Sequence, residues 1–359
     1  MNSQPITEAA ILEAITPFKD PETGRSVVQL EQIQGLELKD QNLNITLGLT
    51  TWSAPLWEQT RAELVSLLKQ RFPTLNVDVH VAVHKRPAEK IGEIGLAAKS
   101  VIAVGAGKGG VGKSSVAAYL AYGLVRAGCL VGLMDADVYG PSIPHLIGAR
   151  ERPMMIGNRI QPVKVDGLKV MSMGFLVPPG EAVIWRGPML HAALTQFLRD
   201  TEWGNLDYLI IDMPPGTGDI ALSLSQLAPL SGAVVVGTPQ DVALLDVAKA
   251  IQMFRKVNIE VLGMIENMSF FICSQCNARH DIFGSGGAKK KAAEMDVPYL
   301  GEVPLITELR VLGDKGQIGK SLEHEAARPY LQAICENLLH ILVQRRGEQP
   351  QLPTLTVLK

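Results

Sequence analysis

The chain is poor in cysteine, in aromatic residues and in net charge. Four cysteines occur in 359 residues, too few to staple a disulfide scaffold. Lysine and arginine (34) nearly balance aspartate and glutamate (36), so no global basic excess points to nucleic acid. No stretch approaches the ~18–20 uninterrupted apolar residues of a membrane span. The opening MNSQPITEAAILEAITPFKD carries Glu8 and Glu13 and no long apolar run, unlike a secretory or transit peptide. These absences set the expectation of a cytoplasmic protein with no nucleic-acid or membrane partner. What is plentiful is aliphatic: 47% of residues are hydrophobic, only 5% aromatic. At this length about two or three domains with a sizeable core are expected.

Residues 1–87 read as a small α/β domain. TEAAILEAI and PLWEQTRAELVSLLKQRF have helical spacing, SVVQLEQIQGLELKDQNLNITLGL reads as two strands around the Lys39–Asn42 turn, and NVDVHVAV alternates as a strand. This domain contains no cysteine. Residues 88–99, proline-flanked and charged, read as a linker. From Ser100 the pattern changes: SVIAVGAG, LVGLMDAD, LDYLIIDMP, GAVVVGTP, EVLGMIENM and VPYLGEVP alternate with helical segments. Strands apolar throughout and separated by helices predict a mostly parallel sheet flanked by helices, spanning residues 100–346. Functional residues are then expected at the carboxyl ends of its strands. The last helix, near 324–346, places Tyr330, Leu331, Ile334, Leu338, Ile341 and Leu342 on one stripe that reads as core packing. Residues 347–359 read as a flexible tail.

Within the first apolar strand, turn and helix, GKGGVGKS at 107–114 fits G-x-x-x-x-G-K-[ST], a loop whose backbone N–H groups cradle phosphates. The fold class predicted is therefore α/β, a P-loop NTPase. Gly107, Lys108, Gly109, Gly110, Val111, Gly112, Lys113, Ser114 and Ser115 form the candidate ATP site. Lys113 would neutralise the β- and γ-phosphates, and Ser114 would ligate Mg²⁺. Asp135 and Asp137 end one apolar strand and Asp212 ends another, placing carboxylates where Mg²⁺ chemistry needs them. Asn267 is read either as an adenine contact or as a turn residue.

A second lysine at the start of the loop, Lys108, has no task in a one-chain phosphate cradle. In this the sequence resembles the deviant Walker-A ATPases, the group containing the nitrogenase iron protein, MinD and ParA. The resemblance implies that Lys108 reaches a partner subunit's nucleotide, that Asp137 positions or activates the attacking water, and that Asp135 is more structural. It makes Asp212 the Walker-B carboxylate. Lys108, Lys113 and Asp137 are the candidate catalytic residues.

Cys129 and Cys335 sit in an apolar strand and an amphipathic helix and read as packing residues. Cys273 and Cys276, in FFICSQCNARHDIFGSGG, offer two thiolates on one turn, half of a four-sulfur shell. If nucleotide draws two chains face to face, the two-fold axis supplies the other half, suiting a [4Fe-4S] cluster or tetrahedral zinc. His280 is an alternative further ligand, or a hydrogen-bonding neighbour. Lys289–Lys291 reads as a solvated helix face or an attractor for an acidic partner.

Together GAGKGGVGKSS, DADVYGPSIP, VIWRGPM, DMPPGTGD, GTPQDVALLDVAKAI, ENMSFFICSQC and HDIFGSGG resemble the Mrp/ApbC family of iron-sulfur cluster carrier ATPases. The first 87 residues resemble the small iron-sulfur assembly domain often fused ahead of it. The resemblance implies ATP binding and hydrolysis, a homodimer, a labile bridging cluster, and its transfer from donors to iron-sulfur apoproteins. Ser274 and Asn277 depart from the family's usual Pro and Gly, and VPLITELRVLGDKGQIGKS from its usual acidic, Pro-containing version. Two rival functions share these nucleotide motifs: a MinD/ParA-like positioning ATPase and a zinc-bridged dimeric scaffold.

Overall fold

A computed structural model describes residues 6–92, 94–176, 187–216, 218–273, 275–276 and 278–348. Of the tail read at 347–359, Gly347 and Glu348 are instead helical and residues 349–359 lie outside the described residues, as do Ser274, Asn277 and residues 183–186 of the VIWRGPM motif. The chain divides into two compact units, Met1–Arg86 with Leu339–Lys359, and Pro87–Leu338.

The first unit is a three-stranded sheet covered by helices. Thr7 caps α1 (Glu8–Ile15), its hydroxyl accepting the Ala10 N–H. Strands β1 (Ile33–Lys39) and β2 (Asn42–Leu49) form the expected hairpin, with Asp40 at φ 54° in the turn. A short 3₁₀ turn leads into α2 (Trp57–Arg71), and β3 (Asn76–Val83) then pairs parallel to β2. Alternation puts Val77 and Val79 inward, where Leu64 and Leu68 of α2 and Ile11 and Ile15 of α1 join them. Of Ser26–Leu30, read as the start of a strand, Ser26 makes only an isolated bridge to Lys19 and residues 27–30 form turns.

The second unit is a large mixed sheet. Its strands are β4 (Lys90–Ile91), β5 (Leu96–Ala106), β6 (Val131–Asp135), β9 (Val163–Val165), β10 (Leu168–Ser172), β11 (Leu206–Asp212), β12 (Gly232–Gly237), β13 (Val261–Ile272), β14 (Arg279–His280) and β15 (Tyr299–Leu305), with β7 (Met154–Ile156) and β8 (Arg159–Gln161) forming a separate hairpin. The order is β14-β13-β12-β5-β11-β6-β10-β9, with β15 on β13 and β4 on β5. From β13 to β10 every neighbour is parallel. The helices are α3 (Lys113–Ala127), α4 (Ile143–Ile147), α5 (Gly187–Arg199), α6 (Gly218–Leu227), α7 (Asp241–Lys256), α8 (Gly287–Glu294), α9 (Thr307–Asp314) and the first half of α10 (Arg328–Glu348), whose residues from Leu339 belong to the first unit. Buried side chains recur along α7 at Ala243, Leu244, Val247, Ala250, Ile251 and Phe254, the spacing of a helix laid on a sheet. Strands β11 and β12 are buried along their whole length, as expected when both faces are covered.

The linker read at 88–99 is corrected. Lys90–Ile91 pairs antiparallel with Leu96–Ala97, and buried Leu96 and Ala98 already belong to the sheet core. The apolar anchors outweigh the charged residues around them. The last helix begins at Arg328 rather than near 324, because residues 324–327 form a turn in which the His324 carbonyl accepts the Ala327 and Arg328 N–H groups. Along it Leu331, Ile334, Leu338 and Leu342 are buried. Strand β5 lies between β11 and β12, so chain order reverses beside it and a crevice opens at the strands' carboxyl ends.

In the first unit, the end of α10 supplies a lid to Trp52: the Arg346 guanidinium lies 4.1 Å from its ring centroid and donates to the Glu22 carbonyl. Arg346→Ala is expected to destabilise this unit by about 1 kcal/mol, read as faster amide exchange in β2. Unchanged exchange would show that the stacking contributes nothing.

Candidate functional site

The glycine loop between β5 and α3 lies at that crevice. Gly110 and Gly112 adopt φ of 82° and 78°, the left-handed region that favours glycine. Gly107 is required by close approach: a Cβ there would lie 2.0 Å from the Asp246 carbonyl of α7. A Cβ on Gly112 would lie 2.2 Å from Asn267 Nδ2. Asn267 is buried within β13, not in a turn, and donates to the Val111 carbonyl at 2.8 Å. In this structure it braces the loop from beneath. Lys108 is half-buried at the loop's leading edge, while Ser114 and Ser115 open the α3 helix, whose free N–H groups favour phosphate.

Lys113 points back onto the strand ends. Its Nζ is 2.5 Å from Asp212 Oδ1, 3.2 Å from Ser114 Oγ and 3.7 Å from Asp137 Oδ2. Asp135, Asp137, Asp212 and Lys113 are all buried. Burial, reinforced by the Asp212 carboxylate, pushes Asp135 up to about 8. Asp135 is also fully spoken for: Oδ1 accepts the Asp137 N–H, and Oδ2 accepts the Ile143 N–H and the Ser172 hydroxyl. It shapes the turn that presents Asp137, whose Oδ1 accepts the Tyr139 and Gly140 N–H groups. Burial likewise raises Asp212, opposed chiefly by the Lys113 ammonium.

Asp212 Oδ2 is a buried oxygen with no hydrogen-bond partner among the described residues. A hard cation prefers such an oxygen donor. The Ser114 hydroxyl and Asp212 thus fit Mg²⁺, which when bound would neutralise phosphate charge. Lys113 is ion-paired with the other oxygen of the same carboxylate, Asp212 Oδ1.

Cys273 and Cys276 follow the end of β13. Cys273 is half-buried, Cys276 exposed. The Cys273 N–H donates to the Ala278 carbonyl at 3.0 Å, closing the turn. The backbone N–H groups of Gln275 and Cys276, with the Cys276 side chain, hold the Cys273 thiol below the ordinary thiol range. Burial drives the other two cysteines the opposite way, Cys335 to about 12. His280 lies on β14 with its ring 6.3 Å from that of Phe271. Among the described residues no group of three or more His, Cys, Asp or Glu is placed to hold a metal, so His280 does not complete a site with the two thiols. Lys291 pairs with Glu294 at 2.5 Å, while Lys289 and Lys290 are exposed.

The structure thus brings Lys113, Ser114, Asp135, Asp137 and Asp212 together, and sets the thiols just past the end of the strand that touches the loop. Sequence reasoning missed Ser172, which holds Asp135, and Asp246, whose carbonyl limits residue 107. Neither carries a local motif, and both act through tertiary contact.

A parallel sheet with a phosphate loop at its reversal point and strand-end carboxylates around the loop's lysine defines a P-loop nucleotide-binding protein. The profile of the ParA family, described as NUBPL iron-transfer P-loop NTPase, matches residues 97–339, and that of the iron-sulfur cluster assembly protein family matches residues 8–83. The chain belongs to this iron-transfer P-loop NTPase family. It is 44% identical over 351 residues to an iron-sulfur cluster carrier protein of Deinococcus radiodurans, covering 96% of this chain and 99% of that one. With the protein of the same description from Escherichia coli K12 it is 43% identical over 314 residues, 86% and 85% of the two chains. Among solved structures, an ADP-bound nucleotide-binding protein from Archaeoglobus fulgidus is 40% identical with TM-score 0.56, covering 62% of this chain and 89% of that one. The Pyrococcus furiosus cell-division ATPase MinD is 20% identical with TM-score 0.51, covering 67% and 99%; it shares the fold.

Two outcomes are expected. Gly107→Ala should lose nucleotide binding by calorimetry while far-UV circular dichroism stays unchanged, because the loop must shift off the Asp246 carbonyl; retained affinity would contradict the tight approach. In a pH series of iodoacetamide labelling, Cys273 should react with a midpoint below that of an ordinary thiol. A lowered thiol pKa populates the thiolate at lower pH, whereas Cys129 and Cys335 should stay unlabelled. Equal midpoints for all four cysteines would contradict the assignment.

Proposed function

We propose that the chain is an ATP-binding and ATP-hydrolysing iron-sulfur cluster carrier that holds its cargo between two copies of itself and passes it to apoproteins. The observation that carries this is the location of Cys273 and Cys276 at the end of β13, the strand whose Asn267 supports the phosphate loop, with no third protein ligand beside them among the described residues. Two thiols cannot enclose a cluster, but a two-fold related pair can, giving the four sulfurs of a [4Fe-4S] site. Exposed Val242 and Leu245 at the start of α7, and Ile282 and Phe283 just past the thiols, offer apolar surface for the second copy. The family match and the relatives' description as cluster carriers support the same cargo.

In this reading the N–H groups of residues 109–115 hold the phosphates. Lys113 leaves Asp212 for the β- and γ-phosphates, releasing a carboxylate for Mg²⁺. Asp137 orients the water that attacks the γ-phosphorus, and the bond to the β-phosphate oxygen breaks as the new P–O bond forms. Lys108 of each copy acts across the dimer as an arginine finger does, so that hydrolysis waits for assembly. A coupling of about 1–3 kcal/mol between nucleotide and cargo would change cluster affinity about 5- to 150-fold. The small first unit is assigned to docking donors or recipients, following its resemblance to iron-sulfur assembly proteins.

Anaerobic reconstitution with iron and sulfide should give a coloured dimer with iron and sulfide in equal amounts, and Cys273→Ala should abolish the colour while leaving ATP binding intact. A colourless dimer holding one tight zinc would replace the carrier with a zinc-bridged scaffold. Lys108→Ala should lower hydrolysis by about 10³-fold with ATP affinity preserved. Hydrolysis at the wild-type rate would remove the trans-acting role.

A further inference from the structure

Strand β13 is a single stretch of backbone that touches both ends of the proposed machinery. At one end Asn267 donates to Val111, and the Met268 methyl lies 3.6 Å from where a Gly112 Cβ would stand. At the other end Phe271 and Ile272 pair antiparallel with His280 and Arg279, and Cys273 follows directly. Between them the strand is irregular. Its register against β15 shifts between Asn267 and Phe271, and Met268 adopts φ of 54°. A methionine in the left-handed region inside a strand is strained and must be held there by its surroundings.

Those surroundings are polar, buried and specific. The Ser269 hydroxyl lies 2.5 Å from Glu266 Oε1 and 2.8 Å from Glu302 Oε2. Glu266 Oε2 accepts the Ala288 N–H at the start of α8, and Glu266 and Ser269 are wholly buried. Beyond the bulge, Phe270 is clamped by an edge-on contact with Tyr330 at 5.4 Å and by the Arg279 guanidinium 3.8 Å from its centroid. Both flanks are fixed, one to the phosphate loop and one to the cysteine turn. Met268 is the irregular joint between them.

We propose that Met268, held left-handed in this bulge, is a positioning residue that transmits the state of the phosphate loop to the two thiols. This rests on the nucleotide-dependent carrier reading above and names the element that executes it. Phosphate entering the loop moves Val111 and Gly112, Asn267 follows through its hydrogen bond, and the bulge converts that shift into reorientation of Phe271–Cys273. A regular strand would absorb the shift by sliding its whole ladder, whereas a bulge changes direction at one residue.

The test uses the full chain without cluster, at a dilution where sedimentation shows monomer. Alkylation rates of Cys273 and Cys276 are followed by peptide mapping, with and without Mg-ATP. In the wild type the ratio of rates should be about 5-fold or more, the lower end of ordinary coupling. Met268→Gly, which accepts many backbone conformations, should bring the ratio to one with ATP affinity unchanged. Met268→Asn, which tolerates the left-handed region, should restore it. A wild-type ratio of one, a Met268→Gly ratio equal to the wild type, or an Asn variant behaving as Gly would each overturn the proposal. Should Met268→Gly fail to fold, Ser269→Ala, which unties the bulge from Glu266 and Glu302, is expected to lower the ratio in its place, and an undiminished ratio would overturn the link. Iron content after reconstitution is read separately. A chain that binds no cluster yet shows the ratio sinks the carrier assignment and keeps the link; one that binds cluster with a ratio of one sinks the link alone.

Discussion

The buried ammonium of Lys113 against the carboxylate of Asp212 is the contact on which the site depends. Both groups are withdrawn from water, so each needs the other or a substitute. On the proposed reading a triphosphate would take over the lysine and a divalent cation the aspartate, and either exchange alone would leave an unpaired buried charge. Asp135, raised by burial and tied to two backbone N–H groups and Ser172, keeps the neighbouring turn in shape.

The loop that carries Lys113 is defined by what it excludes. A side chain at 107 would strike α7 and one at 112 would strike Asn267, so helix, loop and β13 are packed to contact distance. Close packing makes displacement in one felt by the next. Cys273 stands six residues beyond Asn267, directly after the end of β13, so on the proposed reading cargo and nucleotide share one stretch of backbone. The turn around Cys273 is itself arranged for anionic sulfur, with N–H groups directed at it.

Much of this was legible in the chain. The all-apolar runs ending in Asp135 and Asp212 gave strands where expected, since a strand buried on both faces has no room for alternation. The phosphate loop was readable because its chemistry needs glycine and lysine at fixed offsets. Less legible were the short strands β4, β9, β10 and β14. Runs of two to five residues contain too little periodicity, and their pairing is set by neighbours distant in sequence. The same holds for Asn267: its residue type suits an adenine contact or a turn equally, and only the approach of Val111 makes it a brace.

The sequence by itself determined the class of fold, the phosphate-binding chemistry and the pairing of two thiols on one turn, because each follows from residue type and local spacing. Only the tertiary structure decided that Lys113 rests on Asp212 and that Met268 stands left-handed between loop and thiols. It likewise decided that no third ligand reaches the cysteines among the described residues. Those facts depend on which strands lie side by side, and that is fixed by the burial of the whole sheet rather than by any segment of it.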